Sequence, residues 1–91
     1  IAIPLLSIAS AELKLGNASE AEVAAQEALD LFRSTAAADS TLEGVALCLV
    51  GVSLEGQGKA REGGAMVENA SLLIKPGEAP ETYRALCRLP D

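Results

Sequence analysis

The stretch "LKLGNASEAEVAAQEALDLF", residues 13–32, decides the fold. Gly16 and Asn17 break a run of helix-forming residues, and behind the break Ala21, Ala25, Ala28 and Phe32 follow at intervals of four, three and four. That spacing places them on one narrow helical face, where small side chains let a partner helix approach closely and Phe32 fills the wider end. The acids Glu20, Glu22, Glu27 and Asp30 spread around the polar side, the first two near the positive helix start. Asn17 with Glu20, or Ser19 with Glu22, provides a capping residue followed three places on by a carboxylate. The acids are therefore read as caps and solvated charges, and the alanine row as core.

Working outward, Leu5, Ile8 and Glu12 with Leu6, Ala9 and Leu13 form two adjoining rows at helical spacing. Pro4 is tolerated in the first turn, and Gly16 ends this helix. The second helix runs to about Arg33. Ser34 to Ser40 is a polar, alanine-rich connection that also suits an extension of the second helix, and Ser40 with Glu43 repeats the capping arrangement. A third helix then holds "VALCLVGVSL", residues 45–54. Three flanking helices argue for helix there, although the valines make a buried strand the alternative.

After Gly56 and Gly58 a fourth helix is expected from Ala60 to Ile74. Gly63 and Gly64 each cost up to ~1 kcal/mol in helix propensity relative to alanine, so the close approach of a neighbouring helix is expected there. Pro76 and Gly77 stop the fourth helix. Pro80 opens a short fifth one, Glu81 to Arg88, which Pro90 closes.

"LGNASEA", residues 15–21, overlays "QGKAREG", residues 57–63, and "ALC" at 46–48 recurs at 85–87. The pattern of helix, glycine turn, helix and longer connection occurs twice and begins a third time. Such a pattern means stacked helical hairpins, each unable to bury its apolar face alone.

Composition narrows the function. Ninety-one residues are enough for one domain with one core, and 49% apolar content with only Phe32 and Tyr83 as aromatics is a helical composition. The net charge of −6 disfavours nucleic acid and anionic membrane surfaces. The longest apolar run, Val45 to Val52, is far short of the roughly 20 residues that span a bilayer. The chain starts at Ile1 without an initiator Met, as a processed form or fragment does, and shows no basic secretory leader. A soluble protein, intracellular or organellar rather than secreted, is expected. The absence of histidine excludes Glu-x-x-His di-iron sites and Ser-His or Cys-His catalysis. Gly56-Gln57-Gly58-Lys59 lacks the spacing and preceding strand of a phosphate loop and reads as a turn. No catalytic, metal or cofactor residues are assigned.

With these residues in place the chain resembles the tetratricopeptide-repeat family. Gly51 resembles its small residue midway along a repeat's first helix, with Ala9 in the matching place of the first hairpin. Gly16 and Gly58 resemble the glycine between helices, and Glu20-Ala21 the start of the second helix. Ala28 and Ala70, followed by Leu31 and Leu73, fit its late alanine, and Pro76 its terminal proline. Glu12 stands where a large aromatic is usual, Gly63 replaces an alanine, and Arg33 falls where the first proline would be.

The resemblance implies an all-α fold of antiparallel hairpins stacked as a short solenoid. One domain spans 1–91, with hairpins at about 4–33 and 41–74 and a partial terminal helix at about 81–89. It also implies a concave groove lined by the first helix of each hairpin. Carried over by position, that groove comprises Ile3, Leu6, Ser10, Leu13, Lys14, Val45, Cys48, Val52 and Glu55. It is mostly apolar and suits a peptide or helix with an apolar stripe. The Lys and Asn clamp that some members use for chaperone C-terminal carboxylates has no counterpart, since Leu6 and Ser10 stand in its places.

Cys48 and Cys87 occupy corresponding places on successive first helices, whose axes are expected about 8 to 10 Å apart, whereas bridged cysteines need Cα atoms within roughly 7 Å. Buried free thiols are therefore expected. Two hairpins and a fragment fall short of the three or so repeats such stacks need, so something is expected to cover the exposed end. The expected function is a non-enzymatic protein-interaction module that contributes a helical-repeat surface to a larger complex. The alternatives are a structural accessory subunit on the soluble face of a large, membrane-bound assembly, and a small helical enzyme or ligand-binding bundle.

Overall fold

Two glycine turns, 42 residues apart, organise the chain and match bond for bond. In a computed structural model that describes residues 2–35, 40–75 and 77–88, Gly16 N–H donates to Leu13 O at 3.1 Å and Asn17 N–H to Glu12 O at 2.8 Å. At the second turn Gly58 N–H donates to Glu55 O at 3.0 Å and Lys59 N–H to Leu54 O at 2.9 Å. Both glycines have positive φ, +82° and +87°, a left-handed conformation that satisfies the last carbonyls of a helix and that a Cβ disfavours.

The described residues form five α-helices and no strand: α1 Ala2–Lys14, α2 Ala18–Ser34, α3 Ser40–Gly56, α4 Ala60–Leu73 and α5 Glu81–Cys87. The architecture is all-α, and the α1–α2 and α3–α4 hairpins pack through α2 against α3. None of the helices is long and apolar enough to cross a membrane.

α3 is the central element, with α1, α2, α4 and α5 all packed against it. Every residue from 44 to 51 is buried. A helix wrapped on all sides shows no apolar stripe, which is why "VALCLVGVSL" taken alone suits either helix or strand. The row in α2 is core as expected, with Ala21, Ala25 and Ala28 fully buried and Phe32 beside them.

α3 and α4 cross at glycines. A Cβ on Gly51 would lie 2.7 Å from Gly63 O, and one on Gly63 would overlap Gly51 O. The backbone of each helix thus occupies the space a side chain on the other would need. Gly63 meets the expectation of close approach. Gly64 does not, since a Cβ there would have only Glu55 Oε2 nearby, at an ordinary 3.8 Å.

Several local expectations change. Asn17 stands ahead of α2, yet its side chain makes no cap bond; Nδ2 donates instead to Glu12 Oε1 at 3.4 Å. The tight turn already commits the Asn17 N–H backwards to α1, and its side chain follows. α2 ends at Ser34 with Thr35 extended (φ −103°, ψ 120°), so the connection does not prolong the helix through Thr35. α4 stops one residue before Ile74 and α5 one before Arg88, whose φ of 55° ends the helix. Pro76, Leu89 and Pro90 lie outside the described residues, as do Ala36–Asp39.

Candidate partner-binding site

α1 and α3 carry the nine residues of the expected groove, and the structure divides them. Leu6, Ser10, Val45 and Cys48 are buried, at most 6% exposed, so these four belong to the interior and present no surface to a partner. Ser10 Oγ donates to Ser7 O at 3.0 Å within its own helix. The reason lies in their neighbours: α1 packs on α2, α3 lies among α1, α2, α4 and α5, and α5 adds Cys87 to the apolar cluster that holds Leu6, Val45 and Cys48.

Cys48 and Cys87 are joined as a disulfide with Cα atoms 6.0 Å apart, which corrects the expectation of free thiols. That expectation treated the distance between helix axes as the distance between cysteines. Cα atoms stand ~2.3 Å off each axis, so facing positions on helices ~10 Å apart come within about 5.4 Å, inside the range a disulfide spans.

Three of the nine come together at one end of the α1–α3 face. Leu13, Val52 and Glu55 line a cleft of about 430 Å³ with Gly16, Ala18, Gly56 and Leu86. Across its rim Arg88 Nη2 donates to both Glu55 oxygens, at 3.0 and 3.1 Å. Ile3 and Lys14 are exposed and do not line the cleft.

The 42-residue match of the turns pairs each α1 residue with one of α3, and the pairs differ sharply. Ile3 is 60% exposed where Val45 is 0%, and Ile8 is 51% exposed where Val50 is 2%. Pro4, Ser7 and Ala11 are likewise exposed where Ala46, Leu49 and Ser53 are buried. α3 has α2 ahead of it in the hairpin order to pack on, whereas no described element takes that place against α1. Ile3 is among the expected groove residues, but the outer row it shares with Ile8 is not singled out from the sequence, because matched positions do not say which of them a neighbour covers.

The acids of α2 do not converge. Glu22 accepts from Gln57 Nε2 at 2.7 Å and Asp30 from Gln26 Nε2 at 3.0 Å. The shallow depression beside them is lined by α2 alone, and no group of three or more metal-ligating side chains forms among the described residues. Glu43 pairs with Arg33, Nε to Oε2 at 3.6 Å, and so links α3 to the end of α2. No family model matches the chain, and no match is found among curated proteins or solved structures.

Proposed function

We propose that this chain is a non-enzymatic protein-interaction module, built as tetratricopeptide repeats are, that joins a larger complex through the outer row of α1. The observation that carries this reading is the contrast between Ile3 and Ile8, both more than half exposed, and their buried counterparts Val45 and Val50. Residues of one type at matched positions are core where a described helix packs on them and surface where none of the described elements does. The chemistry that would cover the row is a helix like α2, whose buried positions are mostly alanine and which therefore lies close against its neighbour. Burying two large aliphatic side chains supplies at most roughly 1.5 to 3 kcal/mol each toward docking, and the chain's net charge of −6 disfavours nucleic acid.

Docking by an outer face also suits a structural accessory subunit of a large assembly, because it leaves the inner face to the chain's own α5. The test is a double substitution, Ile3→Asp with Ile8→Asp, in the tagged chain expressed in its native host. Its urea midpoint should match that of the parent while it leaves the high-molecular-weight fraction in which the parent elutes. A double variant that stays in that fraction, or a parent that elutes as a free monomer, would sink the proposal.

A further inference from the structure

The fifth helix covers the inner face of α1 and α3, and few contacts hold it there. It has seven residues, well under the length at which a helix persists alone in water. Glu81, Thr82, Ala85 and Arg88 are exposed, and Tyr83 and Leu86 only partly buried. In the Arg88–Glu55 pair the arginine is exposed while Glu55 is partly buried, and a pair open to solvent on one side holds only modestly. Cys87 is the one fully buried residue of α5, and it is seated by its bond to Cys48. Just ahead of the helix Ala79 is buried and Gly77 has a φ of +79°, which anchors the chain where a hinge would turn.

We propose that α5 is a redox-released latch: reduction of the Cys48–Cys87 bond by a dithiol frees α5 and opens the α1–α3 face to an amphipathic helix of a partner protein. α5 itself states the chemistry that fits, an aromatic residue, a leucine three places on and an arginine two further, with Glu55 receiving the arginine. This surface is separate from the outer row of α1 and does not depend on docking there. In the reduction a thiolate of the dithiol attacks Cys87 Sγ, and the S–S electron pair leaves on Cys48 Sγ, which takes a proton. The second thiol then closes the reductant's own disulfide and expels Cys87 as a thiol. Two electrons and two protons have passed from the dithiol to the cysteines. Both cysteines are at most 1% exposed, so attack waits on fraying at Arg88, and Arg88→Gln should speed reduction.

Hydrogen exchange followed by mass spectrometry on the full chain, oxidised and then reduced with dithiothreitol, tests the latch. Amides of residues 82–88 should exchange at least roughly tenfold faster after reduction while those of α2 and α4 keep their protection. The Cys87→Ser variant should behave as the reduced chain does. Unchanged exchange in α5 with two thiols titrated would overturn the latch, as would uniform loss across all helices in both the reduced chain and the variant. A labelled peptide of residues 77–88 carrying Cys87→Ser supplies the partner's chemistry and should bind the reduced chain but not the oxidised one. Equal binding to both forms would overturn the gating, and no binding to a chain whose α5 has opened would overturn the docking.

Discussion

α1 and α3 begin the two hairpins, end in the same glycine turn and carry aliphatic side chains at matched positions, yet one is half bare and the other is the centre of the molecule. Ile8 and Val50 have nearly the same chemistry. They differ in what lies against them, because α2 follows α1 but also precedes α3 in the packing. Burial in stacked hairpins is a property of neighbours more than of residue type, and an aliphatic residue left bare at a position that is elsewhere core marks the place where a neighbour fits.

The sharpest way to break this comparison is to put the same charge at both places. Val50→Asp should destabilise the chain by about 4 kcal/mol, since an unpaired carboxylate would sit in the core, whereas Ile8→Asp should stay within about 0.5 kcal/mol. Urea denaturation of both variants reads the difference directly, and equal costs would mean that the two helices are equally enclosed. A second pair probes the positions midway along the first helix of each hairpin. Gly51→Ala should cost about 2 kcal/mol despite better helix propensity, because the new methyl meets the Gly63 carbonyl. Ala9→Gly, at the matching position in α1, loses a fully buried methyl as well as helix propensity and should cost about 1.5 to 2 kcal/mol, so the two positions resist opposite exchanges, and thermal melts of both variants check it. The smallest effect should be the most symmetric. Gly16→Ala and Gly58→Ala each place a side chain at positive φ in open space, and each should lose about 1 kcal/mol. Values that differ by more than a few tenths of a kcal/mol would show that the two turns, though alike in hydrogen bonding, are not alike in strain.

Much of the fold was legible because it is local. The alanine row of α2 is read from its spacing, both turns from their glycines, and the close helix contact from Gly63 in a place where glycine is otherwise costly. The candidate groove was legible only in part. Leu13, Val52 and Glu55 do share a cleft, but Leu6, Ser10, Val45 and Cys48 are interior, because positions on α1 and α3 do not say which neighbouring helices will cover them. The sequence argument sets the disulfide aside because the distance between helix axes stands in for that between facing Cα atoms; whether Cys48 and Cys87 face each other depends on the crossing of α3 and α5, which their spacing in the chain does not contain.

The sequence by itself determined the helices, their turns and the small-residue faces through which they approach, since these follow from dihedral preference and from a period of 3.6 residues. Only the tertiary structure decided that α5 folds over α1 and α3, that two cysteines are bonded, and that the isoleucines of α1 stay bare. Those outcomes rest on which surfaces compete for the same neighbour, and that competition is resolved by packing in three dimensions, where residues far apart in the chain first meet.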